Sequence, residues 1–313
     1  MSSADSTTPR LNGLIAATLT PYHPDHSINL AAVPPLVELM LSQGVDGFYV
    51  NGSTGEGMSL TTDERCQLAE AFVRAAAGQA PVVIQVGHNC LRDASALAAH
   101  AQSVGATAIS ATCPSYFPVS SVRNLVDCMQ EIALAAPDLP FYYYHIPRLT
   151  GVAMDMVEFL DLASHSIANL AGLKYSEPTV QGLQACLKRA SGSYEVLWGV
   201  DEMLLSAWVS GARAAVGSTY NFAAPLYKKI LQAVDDRDLE RASQLQSVAV
   251  DMVRILLSFP FHSAVKQVMR WQGVDCGPCR LPLTELAESA STQLRKNLET
   301  LVTADGEPAV WFA

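Results

Sequence analysis

The feature that most limits what this chain can fold into is a regular alternation of short apolar runs with longer amphipathic stretches. Gly47–Val50, Val82–Val86, Ala108–Thr112 and Phe141–Tyr144 are too short for helices and rich in β-branched or aromatic residues. Leu14–Thr20, Leu170–Tyr175, Val196–Trp198 and Ala214–Ser218 bring the expected strands to eight. The stretches between them have helical spacing. Asn29 is the expected N-cap of a helix over Leu30–Gln43, with Gly44 just past its end. Thr61 and Glu64 form a capping box for a second helix, which Gly78 should close. Further helices are expected from about Asp93 and through Val122–Ala135. Alternation of this kind implies a parallel sheet, and eight units imply an α/β fold closed into a (β/α)8 TIM barrel. The rival is an open doubly wound sheet, but no G-x-G-x-x-G opens a helix and no phosphate-binding G-x-x-x-x-G-K-[ST] is present.

The barrel is expected over residues 11–224. Beyond Pro225 the pattern becomes mainly helical, with Leu226–Val234, Leu239–Ser258, Ser263–Trp271 and Leu286–Val302 forming a C-terminal helical extension over residues 225–303. Residues 1–10 are small and polar and read as a flexible tail; residues 304–313 read as an arm or a second tail. The formal net charge is −10, which argues against a nucleic-acid partner. An acidic ligand would need local donors rather than the global field. No apolar run reaches the roughly 18 residues that span a bilayer, and no secretory signal opens the chain. With 7 scattered cysteines, a cytoplasmic location with free thiols and no membrane partner is the simplest expectation.

Active sites of such barrels lie at the carboxyl ends of the strands. That filter retains Thr18, Thr20, Asn51–Glu56, Gln85, Tyr144, Lys174, Asp201, Glu202 and Ser218–Asn221. Lys174 ends an apolar strand. If its neighbours exclude water, the ammonium loses solvation and the neutral amine becomes a nucleophile; read alone, it could equally snorkel to solvent. Tyr144 ends the preceding strand and could move a proton, or simply be a core tyrosine. Gly52-Ser53-Thr54-Gly55-Glu56 offers N–H and hydroxyl donors to a carboxylate, though an ordinary strand-to-helix turn can look the same. Gly199-Val200-Asp201-Glu202 offers acceptors for sugar hydroxyls, or only a helix start with favourable acids.

Taken together, Gly52-Ser53-Thr54-Gly55-Glu56, Tyr144-His145-Ile146-Pro147, Gly172-Leu173-Lys174 and Gly217-Ser218-Thr219-Tyr220-Asn221 closely resemble the dihydrodipicolinate synthase / N-acetylneuraminate lyase family. The likeness runs from about Leu11 to Leu301. It implies a (β/α)8 barrel assembled as a homotetramer, with Lys174 as the Schiff-base nucleophile and Tyr144 as the proton carrier. Ser53 and Thr54 would bind the carboxylate of a 2-oxo acid such as pyruvate. Within the family the lyase branch fits better. Gly199, Asp201 and Glu202 match the segment that holds the glycerol tail of sialic acid there, and Ser176 and Ser218 fit as well. The synthase branch carries an arginine two residues after the proline of the tyrosine motif, where this chain has Leu149; Arg148 is one place early. His145 stands where many bacterial members have asparagine. Tyr116, in Pro114-Ser115-Tyr116-Phe117-Pro118, matches a tyrosine that reaches a neighbouring subunit's site. No cofactor and no metal are implied.

One motif points elsewhere. Cys276-Gly277-Pro278-Cys279 has the inner residues of a thioredoxin C-x-x-C. It falls between late helices without a strand–helix redox unit around it, and no second Cys/His pair lies at zinc-ligand spacing. The pair is read as lying at the surface, with a disulfide open to it only under oxidation.

Overall fold

The computed structural model describes residues 10–313. Eight parallel strands close into a barrel in chain order: β1 (Gly13–Ala17), β2 (Gly47–Val50), β3 (Val82–Gln85), β4 (Ala108–Ala111), β5 (Phe141–His145), β6 (Leu170–Tyr175), β7 (Glu195–Trp198) and β8 (Ala214–Gly217). The ring is sealed by β1 against β8, with Gly13 to Ala16 paired to Ala214 to Gly217.

Strand alternation sorts the side chains into two layers. Ile15, Tyr49, Val83, Tyr142, Tyr144, Leu197 and Val216 face the lumen. Phe48, Ile84, Ile109, Tyr143, Leu173 and Trp198 face outward, into the larger core under the helices. Burying each such side chain contributes about 1.5–3 kcal/mol, so the outer layer holds most of the fold's stability.

Local signals set most helix ends. Thr61 accepts from Glu64 N and Glu64 accepts from Thr61 N, the reciprocal box expected there. Ser121 caps the helix Val122–Ala133 by accepting from Asn124 N. Two expectations shift. Asn29 precedes a short 3-10 turn, Leu30–Ala32, without a side-chain bond, and the α-helix begins at Val33 with Pro34 and Pro35 in its first turn. The left-handed cap after Ala76 falls on Ala77, one residue before Gly78.

The helix expected from Leu226 begins at Tyr220 and runs to Asp235 across the 224/225 boundary. Pro225 is accommodated because Ala223 leaves helical geometry at φ −127° and ψ 19°. The C-terminal helices Leu239–Leu257, Phe261–Trp271 and Glu288–Glu299 follow. The final residues fold back onto them. Ala313 N donates to the Trp271 carbonyl at 2.8 Å, and the Phe312 and Trp271 rings meet edge to face. Gln272 donates to the carbonyls of Phe222 and Trp311 and accepts from Gln43, joining barrel, extension and arm. Among the described residues no single helix is long and apolar enough to cross a membrane.

Candidate active site

Lys174 sits on β6 with its side chain in the lumen, and it is 3% exposed. β5 and β6 pair Tyr144 with Lys174 directly. The amine lies 4.0 Å from the centroid of the Tyr144 ring and 4.0 Å from that of Tyr49. Those two rings pack edge to face with centroids 5.6 Å apart. Burial pushes the Lys174 ammonium below its ordinary range, opposed by the Tyr144 phenol and more weakly by Asp201. The amine is thus held in an aromatic box that favours its neutral, nucleophilic form.

Tyr49 was not legible as a site residue in the motifs, although alternation along Gly47–Val50 puts it on the lumen face. Its hydroxyl donates to Ser110 Oγ at 3.0 Å, and burial, reinforced by Tyr144, raises its pKa well above the ordinary phenol range. Tyr49 therefore stays protonated and serves as a wall. Gly52 is required beside it, because a Cβ there would come within 2.9 Å of the Tyr49 ring.

The loop after β2 brings Thr54 to the site. Its hydroxyl and that of Ser218, after β8, are 2.7 Å apart, bridging over the end of β1. Ser53 is half-buried beside it. Asn221 fixes the Ser218 side by donating to the carbonyls of Ala17 and Ser218, each at 2.7 Å. Thr20 Oγ1 donates to the Gly55 carbonyl, holding the same loop from the segment after β1. Glu56, grouped with this motif in sequence, turns away from the site. Its carboxylate pairs with buried Lys266 at 2.7 Å and accepts from Arg280 N at 2.8 Å.

On the far side, Gly199 follows β7 and Ser176 follows β6. A Cβ on Gly199 would overlap Ser176 Oγ, so glycine is what leaves room for that hydroxyl. Ser176 Oγ is buried and has no hydrogen-bond partner among the described residues. Asp201 accepts from Thr219 N at 2.8 Å and from Thr219 Oγ1 at 2.6 Å. Burial raises its pKa to about 6, against the lowering effect of those two bonds. Glu202 is half-buried in the turn Asp201–Met203.

Three residues lie apart. Tyr116 is 79% exposed on the loop after β4, its ring edge to face with that of exposed Phe117. His145 faces outward between Tyr143 and Tyr175, with Nε2 3.4 Å from Glu177; burial pushes its pKa down. Gln85, at the end of β3, is engaged within the protein. It accepts from buried Arg65 at 2.6 Å and donates to Thr112. Arg148 and Leu149 are both exposed on the short helix Pro147–Thr150. The surface placement of this pair is corrected: Cys276 and Cys279 are buried free thiols, and burial raises Cys276 to about 12. Almost no thiolate exists there at neutral pH, so dithiol exchange has no nucleophile.

A closed (β/α)8 barrel with a buried lysine that has no ion-pair partner among the described residues, set between two tyrosine rings at its carboxyl end, defines the general class. The particular family follows: the chain belongs to the Dihydrodipicolinate synthetase family, whose model matches residues 10–301. It is 39% identical over 307 residues to an N-acetylneuraminate lyase of Gallus gallus, covering 96% of this chain and 100% of that one. The structure of a Proteus mirabilis N-acetylneuraminate lyase superposes with a TM-score of 0.91 at 34% identity, over 94% of this chain and 100% of the other. A Ruminococcus gnavus sialic acid aldolase, solved as a catalytic lysine mutant, gives a TM-score of 0.86 at 27% identity over 93% and 98% of the two chains.

Proposed function

We propose that this chain cleaves N-acetylneuraminate to N-acetylmannosamine and pyruvate through a Schiff base on Lys174. The observation that carries the reading is the Lys174 amine, buried without an ion-pair partner among the described residues and flanked by Tyr144. The similarity to N-acetylneuraminate lyases over nearly the full chain supports the choice of substrate.

The neutral amine adds to the C2 ketone of the open-chain sugar acid. Loss of water from the carbinolamine leaves an iminium, which withdraws electrons from the adjoining carbons. Tyr144, aided by the substrate carboxylate, takes the proton of the C4 hydroxyl. The C3–C4 bond breaks, releasing the aldehyde of N-acetylmannosamine and leaving an enamine on Lys174. Protonation at C3 and hydrolysis of the imine return pyruvate and the free amine. Ser53 and Thr54 hold the carboxylate and so place the scissile bond against the nucleophile. Ser176, Gly199, Asp201 and Glu202 line the polyol side. Ser218 orients Thr54 through their shared hydrogen bond.

The test is chemical. Incubation with pyruvate and borohydride should add a reduced pyruvyl group to Lys174, located by peptide mass, and N-acetylneuraminate should release pyruvate in a lactate-dehydrogenase-coupled assay. Active enzyme with unmodified Lys174 rejects the scheme. Condensation of pyruvate with aspartate semialdehyde, in the absence of lyase activity, would move the chain to the synthase branch. The proposal includes a cytoplasmic homotetramer in which Tyr116 reaches a neighbouring copy's site; light scattering of the purified protein reads the assembly.

A further inference from the structure

The helix Phe261–Trp271 belongs to the C-terminal extension, yet its side chains at positions 262 and 266 both end on the loop after β2. These positions are one turn apart and share a helix face. His262 Nε2 lies 3.0 Å from the carbonyl oxygen of Ser53. A carbonyl oxygen can only accept, so the imidazole carries its proton on Nε2 and donates. Lys266 donates to Glu56 at 2.7 Å. The loop between these anchors is bracketed by two non-glycine residues in left-handed geometry, Asn51 at φ 60° and Glu56 at φ 55°. Such conformations persist only where the surroundings over-determine them.

The Ser53 carbonyl and the Thr54 N–H belong to one planar trans peptide and point in opposite directions. The Ser53 carbonyl accepts from Glu56 N at 3.1 Å within its own turn and from His262 on the helix, and with the carbonyl so drawn the Thr54 N–H points away from the helix. Among the described residues that N–H donates to no acceptor, while the Thr54 hydroxyl is engaged with Ser218. We infer that His262 is a positioning residue that sets the Ser53–Thr54 peptide for the carboxylate of the 2-oxo acid. The inference rests on the Schiff-base reading of Lys174. Because His262 touches neither substrate nor reacting atoms, its loss weakens substrate and transition state together, raising KM while kcat is kept.

The experiment measures the pyruvate concentration that half-saturates borohydride trapping on Lys174, alongside KM and kcat for cleavage. His262→Leu should raise the half-saturating concentration and KM about tenfold, the order of one lost hydrogen bond, with kcat changed by less than about twofold. His262→Gln keeps a donor and should return both to within about threefold of the parent. His262→Ala, which is easier to accommodate, is read in the same way if the leucine variant does not fold. Unchanged half-saturation in the donor-less variants, a fall in kcat at constant KM, or a glutamine variant no better than leucine would each overturn the inference. Parent protein that traps no pyruvate would instead remove the Schiff-base reading, and this inference with it.

Discussion

Two lysines of this chain are buried to the same degree, each 3% exposed, and they are put to opposite uses. Lys266 meets the Glu56 carboxylate at 2.7 Å and the Pro278 carbonyl at 2.7 Å, with the Tyr22 ring 4.4 Å away. Lys174 meets two tyrosine rings at 4.0 Å and, among the described residues, no carboxylate in an ion pair. Burial is common to both, so burial alone does not make a nucleophile. What differs is the counter-charge. A matched carboxylate keeps an ammonium charged and turns it into a fastener. Without one, desolvation favours the free amine.

The sharpest way to break this comparison is to remove each amine in turn. Lys174→Ala should lower pyruvate release from N-acetylneuraminate by at least about 10⁴-fold, as loss of a nucleophile does. A residual rate near the parent's would end the assignment. Tyr144→Phe should lower turnover by about 10²-fold or more, while borohydride still captures part of the Lys174 adduct; loss of both at once would mean that the phenol builds the site rather than moving a proton.

Stability should separate the pair in sign. Lys266→Met strands the buried Glu56 carboxylate and should cost about 3–5 kcal/mol in a denaturant titration at pH 7. Lys174→Met removes an amine that burial makes costly to protonate and should raise stability at pH 7. The pH dependence follows from the lowered pKa. Between that value and the unfolded value of 10.5 the unfolded chain binds more protons at this site, so parent stability rises with pH there. The advantage of Lys174→Met should shrink over the same window, and a constant advantage would show that Lys174 does not titrate early. The smallest expected effect concerns Asp201, whose pKa is raised to about 6. Below that pH its carboxyl gains a proton and loses acceptor strength, so KM for the sugar acid should rise about threefold between pH 7 and 5, and Asp201→Asn should flatten the profile.

The barrel was legible because its signals are local. Eight apolar runs with strand periodicity, and caps such as Thr61 with Glu64, need no distant partner to be read. Lys174 and Tyr144 were legible as strand ends, and their register then joined them. Glu56 was not. It stands inside a motif of small polar residues, but its partners Lys266 and Arg280 lie more than 200 residues on. His262 was hidden for the same reason, because it acts on a main-chain carbonyl, and a carbonyl leaves no mark in a sequence. Tyr49 could have been found by applying period-two alternation to Gly47–Val50. The start of the helix Tyr220–Asp235 was obscured by Pro225, which reads as a boundary unless the kink at Ala223 is known.

The pairing of β1 with β8 has a consequence for how copies of this chain can meet. A sheet joined end to end has no free rim of main-chain donors and acceptors for another polypeptide to extend. Strand addition to the barrel is therefore closed off, and the outer helices and loops, where Tyr116 and Phe117 project, are the surfaces left for association. Contacts of that kind are set residue by residue and can be altered without disturbing the strands that carry the chemistry.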